Sequence, residues 1–381
     1  MAKLGDICKF QSGGTPSKTN ESFFGGSIPW ITTVSLNDSE IDADNAVDWI
    51  TDEAINKSAA KIVPKDSIMI GTRVGVGKTA INRIEMSTNQ DIISLLDIDE
   101  STWNKHFLCL FFVSKREYLL TQARGATIKG IKIDTIAELN LPDYSLETQK
   151  QIAANLDKVT RTIDLCNAIL EKLDLLVKAR FVEMFGEKQY PYQELFSLII
   201  EGAGLSYGIV QPGDDGTGDM GVLRPVDLVD GRISTDSIKY IDRKIGAGFQ
   251  KTELNGDELL ITVRGTTGLT ALTDKRFSGM NVTRGIAVIR YDAKMVDPIY
   301  LNEYLKSDES QRYIQENTRG ATLKQINLSD LRIHKILFPP LDLQHEFAAF
   351  VAQTDKTKST VQKVLEKAET LKKALMQEYF G

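Results

Sequence analysis

Few of the side chains that build metal centres and nucleophilic active sites occur in this sequence. Its 381 residues include three cysteines, Cys8, Cys109 and Cys166, and three histidines, His106, His334 and His345. The cysteines form no Cys-x-x-Cys pair and the histidines share no ligand spacing, which argues against a zinc site. So sparse and odd a set of thiols predicts reduced cysteines in a cytoplasmic protein rather than a disulfide framework. Long apolar runs are missing as well. No stretch approaches the roughly 18 residues of a membrane span, and the opening Met-Ala-Lys-Leu-Gly-Asp has no signal-peptide core, so no membrane is expected. Excess positive charge is also lacking: 46 Lys and Arg stand against 52 Asp and Glu, a formal net charge of -6. A basic nucleic-acid coat is thereby excluded, although a local basic patch is not. Gly-x-Ser-x-Gly, His-Glu-x-x-His and Glu-x-Lys do not occur. Leu141-Pro142-Asp143-Tyr144 and Phe338-Pro339-Pro340-Leu341 lack the polar residue and the aromatic of an amino-methyltransferase motif and read as chain breaks.

What is present is a folded-protein composition, with 42% hydrophobic and 26% charged residues, and an internal repeat. Arg124-Gly125-Ala126-Thr127-Ile128-Lys129 matches Arg319-Gly320-Ala321-Thr322-Leu323-Lys324 at an offset of 319 − 124 = 195. The same offset pairs Leu146 with Leu341, Gln149 with Gln344, Glu171-Lys172 with Glu366-Lys367, and Phe185-Gly186 with Phe380-Gly381. Upstream it drifts: Asp66, Arg73 and Gly77 pair with Asp257, Arg264 and Gly268 at 191, and Val34 and Leu36 with Val226 and Leu228 at 192. A period this long is a duplicated domain pair, not a solenoid. Each half has a diverged front and a retained back, giving expected segments 1–145, 146–186, 187–341 and 342–381.

The fronts carry short apolar runs bounded by turn residues, among them Ile28–Ile31, Ser67–Ile70, Ile92–Leu96, Leu259–Val263 and Ile286–Ile289, which read as strands. Each front ends in a helical stretch, near 107–122 and 299–316. The backs read as long helices. In the first, Ile152, Leu156, Val159, Ile163, Cys166, Leu170, Leu173 and Val177 alternate spacings of four and three, a heptad seam. In the second, Phe347, Phe350, Val351, Val361, Val364, Leu365, Ala368, Leu371 and Leu375 form a broader stripe interrupted by Thr354 and Lys358. Packed on each other, the two helices make a spacer for two α+β heads.

Two motifs are candidates for binding. Gly71-Thr72-Arg73-Val74-Gly75-Val76-Gly77-Lys78-Thr79 approximates a phosphate loop but misses the required spacing by one residue, and its repeat has Leu269 in place of Lys78. Both copies keep an arginine, Arg73 or Arg264, on a small-residue turn after a strand, with Lys78 in one and Thr266 and Thr267 in the other. A guanidinium beside turn amides suits a phosphate or a guanine edge. In the Arg-Gly-Ala-Thr-x-Lys motif, Arg124, Thr127 and Lys129, and likewise Arg319, Thr322 and Lys324, suit phosphates; the same turn also suits a cap holding head to helix.

In order and duplication these residues resemble the specificity subunit of type I restriction–modification systems. The resemblance rests on Leu4-Gly5-Asp6-Ile7, Gly13-Gly14-Thr15-Pro16, Ile28-Pro29-Trp30, the Arg73 turn, both Arg-Gly-Ala-Thr motifs and Leu341-Asp342-Leu343-Gln344. The second half departs from it, opening with Leu195-Phe196-Ser197-Leu198 and lacking the Gly-Gly-Thr-Pro stretch. The resemblance implies two target recognition domains, each reading half of a split double-stranded DNA sequence. It implies an antiparallel coiled coil with internal pseudo-twofold symmetry that also docks two modification subunits, the helix residues named above, Leu156 and Leu365 among them, serving the spacer or the partner surface. S-adenosylmethionine for adenine-N6 methylation would sit on those subunits, and ATP and magnesium on restriction subunits, with no cofactor or catalysis in this chain. A methylation-only system, or a two-headed scaffold that binds no DNA, is the alternative.

Overall fold

The structure is a computed structural model that describes residues 2–125, 130–186, 189–211, 213, 218–229, 231–321 and 323–381. The chain divides into two compact units, Met1–Asn167 with Lys363–Gly381, and Ala168–Gln362. Each holds one head together with part of both long helices.

The first head contains β1 (Lys9–Ser12), β2 (Phe24–Ile31), β3 (Ser39–Ile41), β4 (Asp48–Ile50), α1 (Asp52–Lys57), β5 (Ile62–Val63), β6 (Ile68–Gly71), β7 (Thr79–Asn82), β8 (Met86–Thr88), β9 (Ile92–Leu96), α2 (Lys105–Gln122) and α3 (Ile133–Ala137). One sheet has the order β1-β9-β6-β7-β3 and the other β4-β2-β8-β5. The apolar runs are continuous because both faces of the first sheet are covered. Ile68, Ile70, Ile93 and Leu95 pack with Phe107, Phe111 and Phe112 of α2, whereas Met69, Ala80 and Ile92 pack with Ile31, Val63 and Met86 of the second sheet. The alternation is the two-residue period of a strand.

After α4 (Leu146–Phe185) come β10 (Tyr192–Glu194), β11 (Ser206–Tyr207), β12 (Met220–Leu223), β13 (Leu228–Val229), β14 (Arg232–Ile233), β15 (Lys239–Ile241), α5 (Arg243–Gly246), β16 (Leu259–Thr262), β17 (Thr270–Leu272), β18 (Asn281–Val282), β19 (Ile286–Ile289), α6 (Pro298–Lys306), α7 (Asp308–Glu316), α8 (Leu328–Arg332), β20 (Lys335–Leu337) and α9 (Leu341–Phe380). The sheet β11-β19-β16-β17 repeats β1-β9-β6-β7, and β15-β12-β18 repeats β4-β2-β8. Even the parallel pair recurs, with Trp30 opposite Ser87 and Val222 opposite Asn281.

Segments unlike in sequence prove alike in structure. Leu4–Asp6 and Leu195–Leu198 are both 3-10 turns, held by Leu4 N–H to Leu139 O (3.0 Å) and Leu195 N–H to His334 O (2.9 Å). The absent Gly-Gly-Thr-Pro stretch keeps one glycine, Gly208, in the place of Gly13: a side chain there would strike the backbone of β18, as one at Gly13 would strike that of β8. One expectation fails. The helix expected over 299–316 is two helices, because Ser307 ends α6 in an extended conformation and its hydroxyl accepts the Ser310 N–H at the start of α7. Serine competes with the helix backbone in this way.

Helices α4 and α9 have 40 residues each, about 60 Å of length. Every member of the heptad seam on α4 is buried or half-buried. The matching seam on α9 runs Phe347, Val351, Thr354, Lys358, Val361, Leu365, Ala368, Lys372, Leu375 and Tyr379, through the residues that seemed to interrupt it. Thr354 returns its hydroxyl to Phe350 O (2.9 Å), and Lys358 pairs with Asp174 (2.6 Å). Leu371 falls one position outside this seam and is exposed. In the second unit, Asp174–Lys358 and Arg180–Glu346 (2.9 Å) set α4 antiparallel to α9. In the first, the start of α4 shares a core with the end of α9: Phe380 meets Phe107 at 5.1 Å and Phe111 at 6.1 Å.

A buried glutamine ties each head to its helix. Gln149 accepts the Asn104 N–H (2.9 Å) and donates to Thr102 O and Tyr144 O; Gln344 accepts the Asp297 N–H (2.9 Å) and donates to Pro339 O. Asn104 and Asp297 are the N-caps of α2 and α6. One side chain thus fixes the start of the head helix to the first turn of the long one.

Candidate nucleic-acid interface

The stretch that approximates a phosphate loop is a hairpin turn between antiparallel β6 and β7. No helix N-terminus follows it, so the dipole and free amides that bind phosphate in such loops are absent. The turn closes with Gly71 N–H to Lys78 O and Gly77 N–H to Gly71 O, both 2.9 Å. In the second head, Thr262 N–H to Leu269 O and Gly268 N–H to Thr262 O, both 2.8 Å, close the same turn. Replacing Lys78 by Leu269 leaves it intact because backbone atoms make it.

The two candidate motifs, far apart in sequence, lie side by side in each head. Arg124 and Gly130 exchange backbone hydrogen bonds (2.9 and 3.0 Å), and the next residue, Ile131, donates to Thr72 O (2.8 Å), beside Arg73. Arg319 and Gln325 exchange the same pair (2.8 Å each), and Ile326 donates to Val263 O (3.0 Å), beside Arg264. Gly265 N–H adds a bond to Lys324 O (2.8 Å). Glycine is needed in these loops: φ is 142° at Gly125 and 104° at Gly320.

The resulting surface is cationic. Arg73 is half exposed, its Nη1 3.5 Å from Asp91, while Lys78, Arg124 and Lys324 are exposed. Arg319 projects with a long 3.6 Å approach to Asp330. Arg264 is partly exposed, Thr266 is exposed, and Thr267 is buried against Thr318 (3.1 Å between hydroxyls). Thr127, Lys129 and Thr322 lie outside the described residues.

Several residues at this surface escaped the sequence reading. Arg116 of α2 donates to Gly77 O (3.1 Å) and pairs with Asp38 (2.5 Å), supporting the first turn from beneath. Gln311, 195 residues on, donates to Gly268 O (3.0 Å) in the second head. Unlike residue types hid the equivalence. Arg284, exposed between β18 and β19, occupies the place of Gln90 and was hidden for the same reason.

Burial pushes the thiols of Cys8 and Cys109 up to about 12, which keeps them protonated and non-nucleophilic. Among the described residues no three His, Cys, Asp or Glu side chains gather to hold a metal, and no helix is long and apolar enough to cross a membrane.

Each of the two units thus carries a similar head with one recurring cluster of arginine-bearing turns. The chain belongs to the family described as type I restriction modification DNA specificity domain, whose model matches residues 1–175 and 218–370. Over 317 residues it is 22% identical to the type I restriction enzyme EcoBI specificity subunit of Escherichia coli, covering 75% of this chain and 67% of that one. Over 376 residues it is 26% identical to the MjaIX specificity subunit of Methanocaldococcus jannaschii, covering 92% and 85%. The crystal structure of the type I restriction–modification S subunit from M. genitalium shares the fold, with a TM-score of 0.61 at 14% identity over all of this chain and 95% of that one.

Proposed function

We propose that this chain is the targeting subunit of a type I restriction–modification enzyme, each head reading one half of a bipartite duplex target. The observation that carries this reading is the recurrence of one cluster, the arginine turn bonded to the Arg-Gly-Ala loop, in two heads that otherwise differ. Cations shared by both heads serve what is common to both half-sites, the phosphate backbone, whereas bases are read by the side chains that reach the groove edges. Arg73 and Arg264 therefore hold phosphates, with Arg124, Arg319 and Lys324 adding charge. The helix pair sets the separation of the half-sites and docks two modification subunits. Ile169 and Leu176 on α4 and their equivalents Val364 and Leu371 on α9 are exposed apolar pairs seven residues apart, available to partner helices. S-adenosylmethionine belongs to the modification subunits, which methylate adenine N6, and ATP and magnesium to restriction subunits. A net charge of -6 makes the isolated chain a weak DNA binder, because neutralised phosphates supply much of the affinity.

The test is binding of the assembled methyltransferase to its site at several salt concentrations. Arg73→Ala and Arg264→Ala should each weaken binding to all sequences alike and lower the salt slope by about one. An intact complex with unchanged affinity and slope in both variants would show that the arginines are structural.

A further inference from the structure

Val34 and Val226 are the two most exposed large apolar side chains among the described residues, at 74% and 69%. They occupy the same place in the two heads. Each is the middle residue of a one-turn 3-10 helix, Thr33–Ser35 directly after β2 and Pro225–Asp227 directly after β12. Their neighbours are locked. Thr33, Ser35 and Leu36 are buried, and Ser35 Oγ donates to Asn45 O (2.8 Å). Asp227 and Leu228 are buried, and Asp227 holds Arg224 at 2.9 Å. The valine is thus presented outward on a rigid pedestal and adds nothing to the core. An apolar residue kept in water at equivalent points of two diverged heads calls for a ligand.

The pedestals adjoin the cationic cluster. In the first head, Ile31 O accepts Asn89 N–H (3.0 Å), and Asp91 O in that same turn accepts Thr72 N–H (2.8 Å) beside Arg73. In the second, Leu223 O accepts Thr283 N–H (2.9 Å), and Gly285 O accepts Val263 N–H (2.8 Å) beside Arg264. A Cβ at Gly285 would lie 2.6 Å from Pro225 Cγ and 3.7 Å from Arg264 O, so the Val226 turn and the arginine flank one glycine.

A lone valine is far too small for a protein interface, which needs on the order of 1,000 Å². Beside phosphate-binding cations it suits the one apolar feature of the major groove, the thymine 5-methyl group. A β-branched side chain has little rotamer freedom to lose on contact. Resting on the DNA-reading function above, we propose that Val34 and Val226 each pack on a thymine methyl group, one in each half-site, and so contribute to sequence choice.

The experiment uses the full chain assembled with its modification subunits, on a target mapped by N6-methyladenine. Each thymine is replaced singly by deoxyuridine, which removes only the methyl group. One replacement in each half-site should weaken binding about fourfold, the worth of one buried methyl. Val34→Ala should abolish that response in one half-site and leave the other intact, and Val226→Ala should do the reverse. Val34→Thr keeps the shape, guards against a folding artefact, and should reduce the response in the same half-site as Val34→Ala. The inference is overturned if no replacement is coupled to either valine, if Val34→Ala weakens all duplexes equally, or if it only reduces recovery of the modification subunits. Failure of the wild-type complex to prefer its mapped target over a scrambled duplex would instead sink the DNA-reading function itself.

Discussion

At the scale of single residues, His334 carries a pH dependence that belongs to one head. Its Nε2 lies 2.7 Å from Ser310 Oγ and its ring stacks on Tyr313 at 4.3 Å between centroids. Burial lowers its pKa from 6.5 to about 4. Below the unfolded value, the unfolded chain takes up a proton that the folded head refuses. Stability is therefore whole above pH 6.5 and falls as the pH drops toward 4, by up to about 3 kcal/mol. Leu139 stands at the equivalent place in the first head. Hydrogen exchange in the second unit should accelerate across this interval in the wild type, and His334→Leu should remove that part of the slope; equal slopes in the two proteins would place the charge change elsewhere. Residues of this kind were illegible in the sequence, since a histidine shows its setting only once its neighbours are known. Arg73 and Arg264 were legible because both copies keep them. Arg116 and Gln311 were not, because two residue types do one task with the same backbone oxygen.

At the scale of elements, the long helices separate pairing from display. Leu170 and Leu173 lie in the half-buried seam, whereas Ile169, Leu176, Val364 and Leu371 are exposed. Replacing Leu170 and Leu173 together by Lys should loosen the helix pair, at about 2–5 kcal/mol for each lost side chain, and so abolish complex formation. Replacing the four exposed residues by Ser should leave thermal unfolding within about 2 kcal/mol of wild type yet still prevent co-purification of modification subunits. If the partner binds both variants normally, the helices are not its dock. The seam of α4 was readable as a four-three alternation of apolar residues. That of α9 was only half readable, because Thr354 closes on its own helix and Lys358 reaches an acid on the facing one, so polar residues occupy seam positions without cost.

At the scale of the whole molecule, each head is completed by the C-terminal end of a long helix, α4 directly before the second head and α9 remote in sequence from the first. Phe380 lies in the first head's core against Phe107 and Phe111, and Phe185 in the second's against Tyr300 and Phe347. Phe380→Ala should therefore destabilise the first head by about 3–5 kcal/mol, although more than 250 residues separate it from that head's helix α2. Hydrogen exchange resolved by segment should show α2 losing protection while α6 keeps it, and Phe185→Ala should give the opposite pattern. Uniform loss in both heads would mean that they unfold as one.

The sequence by itself determined the duplication, the strand runs, the four-three helical spacing and the two recurring motifs. These properties are written in side-chain identity at regular intervals, and periodic burial selects for them directly. Tertiary structure alone decided that the Arg-Gly-Ala loop lies against the arginine turn, that Ser307 divides one helix in two, that Leu371 faces water, and that Phe380 seals a head it follows by most of the chain. The loop and the turn meet through backbone amides and carbonyls, which every residue type supplies. Such bonds impose no side-chain signature, so two stretches joined by them look unrelated until the chain is folded.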